Sequence, residues 1–133
     1  MIKGIGVDVV HVHRLEHWLK IPGLLERYFH PHELETARSR GHGMAVSLAA
    51  RFAAKEAFGK ALGTGLKDIV LKDIMVVNRH NGQPEIEVFG TALAALQKCG
   101  ANKIHLSLTH EHDNAIAMIV LEQVDEGSGG RSR

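Results

Sequence analysis

Apolar and polar residues alternate with period two over residues 2–12, where β-branched side chains dominate and predict a strand. Ile5, Val7 and Val9 share one face of it, and Gly4, Gly6, Asp8 and Val10 share the other. Residues 12–20 read as a short helix ending near Ile21-Pro22-Gly23. Residues 24–40 are helical in pieces broken at His30-Pro31, and Gly41-His42-Gly43 is a further break. The strongest helix covers 45–62, dense in Ala, Leu and Lys, with Gly63 as its C-terminal cap. Residues 73–77 and 85–88 predict a hairpin around Asn81-Gly82. A short helix over 91–99 has Thr91 as candidate N-cap and Gly100 as terminator. Ile104, Leu106 and Leu108 alternate with His105, Ser107 and Thr109 in a half-buried strand, and 115–121 predicts a last strand antiparallel to it. The expected fold is α+β: one small domain over residues 1–125, with an antiparallel-rich sheet packed on a long helix. Residues 126–133 hold no apolar side chain and are expected to form a flexible tail.

Composition narrows the function classes. A chain of 133 residues with 44% apolar and 23% charged residues is a soluble single-domain composition. A formal charge of +1 argues against a nucleic-acid coat protein. The longest apolar run, 115–121, is seven residues, far below the roughly 18 of a spanning helix, so no membrane role is expected. The N-terminus lacks the regions of a signal peptide, and one cysteine, Cys99, forms no internal disulfide; a cytoplasmic setting is expected.

Two carboxylates stand where apolar residues are expected. Asp8 lies mid-strand in an apolar run, where an ionised group must be paired, capped by backbone N–H groups, or bound to a cation. Glu56 lies about 40° around the long helix from Phe52, on the core-facing side. Lys60, four residues later, offers it an ordinary helix ion pair. Together the two carboxylates suit a shared divalent cation, since Mg²⁺ takes one or two carboxylates plus phosphates and waters. Lys55 and Lys60 near Gly63-Thr64-Gly65 suit a phosphate only weakly, since no Walker loop is present, and on spacing alone solvated helix lysines are the better explanation. Gly4-Ile5-Gly6 lacks the third glycine of a dinucleotide fingerprint. His11, His13, His17, His42, His80 and His112 read as surface residues, because pairs of histidines do not complete a transition-metal site. No G-x-S-x-G elbow makes Ser107 a nucleophile.

GIGVDVVHVHRLE, RFAAKEAFGKALGTGL, DIMVVNRHNGQPEIEV and IHLSLTHEHDNAIAMIVLE resemble, in order and over nearly the whole chain, the four motifs of the small 4'-phosphopantetheinyl transferases, the holo-acyl-carrier-protein synthases. The resemblance implies transfer of 4'-phosphopantetheine from coenzyme A to a serine of apo acyl carrier protein, in support of fatty acid synthesis. By position it makes Asp8 and Glu56 the Mg²⁺ ligands, with Glu56 and Lys60 catalytic. It puts Lys55, Lys60, Gly63 and His110 near the coenzyme phosphates, and Arg14 and Arg27 against the acidic carrier. It also implies a homotrimer with sites at subunit interfaces. A coenzyme- or carrier-binding module without transferase activity is the rival reading, and a histidine-based metal-binding protein is a third.

Overall fold

A computed structural model describes residues 1–125, and its organising contact is between the first strand and the long helix. β1 (Ile2–His11) runs antiparallel to β5 (Asn114–Glu122), which pairs on its other side with β4 (Lys103–Glu111), giving the order β1-β5-β4. α4 (Met44–Leu62) lies across this sheet, and 14 of its 19 residues are buried. Such a helix must be narrow: Ala49, Ala53, Ala54, Ala57 and Ala61 supply small buried positions around it. Gly4 and Gly6 explain how close the two elements come. A Cβ on Gly4 would lie 1.9 Å from the Ala61 carbonyl oxygen, and one on Gly6 2.1 Å from that of Ala57. Asp8 follows on the same face of the strand, so the glycines draw it toward the helix.

The register places Gly4–Leu121–Ile104, Gly6–Ile119–Leu106 and Asp8–Ala117–Leu108 in rows on the inner face. The outer face carries Ile5, Val7, Val9, Ile116, Met118 and Val120. Ile5, Val7, Val9 and Met118 are 60%, 54%, 52% and 45% exposed, an apolar surface uncovered in the single chain.

The remaining elements agree with the sequence reading, with shifted ends. The first helix, α1 (Val12–Trp18), starts where β1 stops, so Val12 belongs to the helix. The pieces expected over 24–40 are α2 (Leu25–Tyr28) and α3 (Pro31–Arg38). The break at His30-Pro31 is a helix start: Pro31 occupies the first turn, where no N–H is needed, and the His30 ring accepts the His32 N–H. β2 (Ile74–Asn78) and β3 (Pro84–Val88) form the separate hairpin. α5 (Gly90–Cys99) corrects the expected cap. Phe89 is its N-cap, and Thr91 lies inside the first turn, where its N–H and hydroxyl both donate to Asp73 Oδ2. The cap comes from a distant loop, which local spacing does not reveal. The expected tail, 126–133, lies outside the described residues.

Replacing Gly6 by Ala tests the close approach, because the added methyl meets helix backbone that has no room to move aside. Denaturant unfolding should show a loss of about 3 kcal/mol at unchanged m-value. A loss below about 0.5 kcal/mol would mean that β1 and α4 are not held this close.

Candidate active site

Asp8 follows Gly4 and Gly6 on the face of β1 that is pressed against α4. Lys60 Nζ donates to Asp8 Oδ1 at 2.7 Å, joining strand to helix. Asp8 is 16% exposed at its side chain and Lys60 54%, so the carboxylate is enclosed while the ammonium reaches it from solvent. Hydrogen bonding to Asp8, then its charge, pushes the Lys60 ammonium above the usual lysine range.

Glu56, one turn before Lys60, is half-buried. Burial pushes its carboxyl up, and the nearby Asp8 charge adds to the rise, while Arg14 and Lys60 oppose it. A carboxyl raised on folding takes up protons, so its contribution to stability falls as pH rises from the ordinary carboxylate range through its own. Asp8 and Glu56 thus share one field with Arg14 and Lys60, two carboxylates facing two cations. Among the described residues no group of three or more His, Cys, Asp and Glu could hold a metal ion. Asp8 and Glu56 are two carboxylates of the kind that could hold Mg²⁺, a cation that takes its remaining ligands from water or substrate oxygens.

Arg14 joins this cluster from α1. Its guanidinium lies 5.2 Å from the ring centroids of both Trp18 and Phe52, an aromatic seat that fixes it within electrostatic reach of Glu56. Gly63 caps α4 with φ 84°, and its N–H is spent on the Lys60 carbonyl. Arg27 is exposed in the last turn of α2. His110 is exposed near the end of β4, in the row Val10–Ala115–His110, two strands from β1.

Lys55 does not join the cluster, which corrects its expected place beside the coenzyme phosphates. Its side chain is 0% exposed and pairs with the equally buried Glu33 at 2.8 Å. The same ammonium donates to the carbonyls of Leu71, at 3.0 Å, and Ile74, so all three donors are taken. Burial pulls Lys55 below the ordinary lysine range and Glu33 opposes the shift. Successive helix residues point about 100° apart, so Lys55 and Glu56 serve different surroundings.

Glu33 is the residue that sequence reading missed. Its Oε1 also accepts the His30 N–H at 3.0 Å, and its Oε2 accepts the Val76 N–H at 2.9 Å. One carboxylate thus ties α3, α4 and β2. The only local signal was a Glu three residues after a histidine that acts as N-cap, outside the usual capping residues. Arg51 makes a second tie, to Ser47 Oγ at 2.7 Å and to Asn78 Oδ1 at 3.1 Å.

Residues 4–119 match the family described as ACPS, the 4'-phosphopantetheinyl transferase superfamily. A holo-[acyl-carrier-protein] synthase of Treponema denticola is 58% identical over 122 residues, covering 92% of this chain and 99% of that protein. Among solved structures, a holo-[acyl-carrier-protein] synthase of Neisseria meningitidis is 36% identical with a TM-score of 0.81, over 92% of this chain and 100% of that one. A holo-(acyl-carrier-protein) synthase of Bacillus anthracis, solved in complex with coenzyme A (3',5'-ADP), is 34% identical with a TM-score of 0.78, over 93% of this chain and 99% of that one.

Proposed function

Since the chain belongs to the 4'-phosphopantetheinyl transferase superfamily, as an enzyme of the holo-[acyl-carrier-protein] synthase type, we propose that it moves 4'-phosphopantetheine from coenzyme A to a serine of apo acyl carrier protein, with Mg²⁺ at Asp8 and Glu56. The second product is adenosine 3',5'-bisphosphate, and the role is activation of the carrier for fatty acid synthesis in the cytoplasm. The observation that carries this reading is the meeting of Asp8, Glu56 and Lys60 across the β1–α4 contact. Coenzyme A in the Bacillus anthracis relative supports the donor substrate. No helix among the described residues is long and apolar enough to cross a membrane, in keeping with two water-soluble substrates.

The chemistry is a displacement at the β-phosphorus of the coenzyme pyrophosphate: the serine oxygen forms a bond to phosphorus as the bond to the bisphosphate oxygen breaks. Asp8 and Glu56 would hold Mg²⁺, which would supply neutralisation of the pyrophosphate charge. Glu56 accepts the serine proton, directly or through an intervening water. Lys60, held protonated, stabilises the charge that collects on the leaving oxygen. Gly63 turns the chain beside that phosphate without a side chain in the way. Arg14 and Arg27, both exposed and both on the helices that follow β1, meet the acidic carrier.

The uncovered sheet face supports a homotrimer as part of this reading. Ile5, Val7, Val9 and Met118 form a contiguous apolar surface of the kind buried between subunits. A closed homotrimer seated on it brings His110 of one chain to the carboxylates of another.

Two experiments test these statements. Incubation with coenzyme A, Mg²⁺ and apo acyl carrier protein should add a phosphopantetheine mass to the carrier, and Asp8→Ala should lower the rate by about 100-fold or more. No adduct, or an Asp8→Ala chain near wild-type turnover at limiting Mg²⁺, overturns the reading. For the assembly, inactive Glu56→Ala and His110→Ala chains, dissociated and reassembled together, should regain activity. A mixture as inactive as its parents despite verified exchange contradicts a shared site.

A further inference from the structure

Lys60 stands in two relations that cannot hold at once. Its ammonium occupies Asp8 Oδ1 at 2.7 Å, the carboxylate that the reading above gives to a divalent cation, and the same ammonium is the one that reading sets against the leaving phosphate. We propose that Lys60 is the resident counter-ion of the paired carboxylates. It holds Asp8 while the cation is absent and is displaced from it when the cation binds, so that loading the cation also frees an ammonium for the substrate phosphate.

The geometry of the group supports this division of labour. Asp8 is fixed on a strand that is pressed onto α4 at Gly4 and Gly6, and its side chain is mostly enclosed. It has little freedom to leave. Lys60 is more than half exposed, on a flexible four-carbon stem, and can swing outward without opening the core. Arg14, the other cation facing Glu56, is seated on Trp18 and Phe52 and is not free to take its place. Of the four charged groups that meet here, only Lys60 combines direct contact with a proposed ligand and room to move. After release it remains one helical turn from Glu56, within the field of the site. An ion pair with one solvent-exposed partner is a weak competitor, so it tunes cation affinity without blocking it.

The inference rests on the Mg²⁺ reading, and its test separates the two. Mn²⁺ is titrated into the chelator-treated full chain without coenzyme, and free Mn²⁺ is followed by electron paramagnetic resonance for wild type, Lys60→Gln and Lys60→Arg. Circular dichroism confirms that each is folded, as expected for a residue on the exposed edge of α4. Lys60→Gln should bind Mn²⁺ about threefold more tightly or better, although it transfers more slowly, while Lys60→Arg stays near wild type. The Lys60 Cε resonance should shift when Mg²⁺ alone is added. Equal or weaker Mn²⁺ binding by Lys60→Gln, or a Cε resonance indifferent to Mg²⁺, overturns the counter-ion role while leaving the transferase reading intact. A wild-type chain that binds no Mn²⁺ and still transfers after chelation overturns the Mg²⁺ reading and this inference with it.

Discussion

The approach of β1 to α4 is the constraint on which the rest depends. At Gly4 and Gly6 helix carbonyls sit where side chains would otherwise be. This spacing buries the small face of an alanine-rich helix against the stretch of strand at Gly4 and Gly6 that has no side chain on that side. It also decides the chemistry. Asp8 is the next inward residue after the two glycines, and the helix row it meets carries Glu56 and Lys60. A side chain at Gly4 or Gly6 would push β1 off α4 and carry Asp8 away from Lys60.

The second organising interaction is ionic and serves a different end. Lys55 and Glu33 form a fully buried pair in which every ammonium proton is used and the carboxylate also binds the His30 and Val76 N–H groups. Breaking one partner of such a pair leaves an uncompensated charge, which is why it fixes α3 and the β2 hairpin against α4 so firmly. Lys55 and Lys60 are both lysines on one helix, each with a carboxylate at hydrogen-bond distance. Burial makes the first a structural tie and exposure leaves the second available for exchange.

Much of this was legible in the chain. Period-two alternation placed Gly4, Gly6 and Asp8 on one strand face, and helical spacing turned Glu56 inward. Gly63 and Gly100 end α4 and α5 in the left-handed conformation that their positions implied. What escaped was long-range. Glu33 stands between His32 and Leu34 in an ordinary helical stretch, and nothing local reports that Lys55, 22 residues later, closes on it. The cap of α5 came from Asp73 rather than from Thr91 for the same reason. Lys55 resembled a phosphate ligand because it neighbours Glu56 in a shared motif, but adjacency in a helix means divergence in space.

The central claim is that Asp8 and Glu56 share one electrostatic site. It is tested most directly by the ¹³C carboxyl resonance of Glu56, titrated against pH in the cation-free protein, in wild type and in Asp8→Asn. Burial and the Asp8 charge should place the wild-type midpoint above the ordinary carboxylate range, and loss of that charge should lower it. A Glu56 midpoint that is ordinary in wild type, or that does not move in Asp8→Asn, would contradict the account.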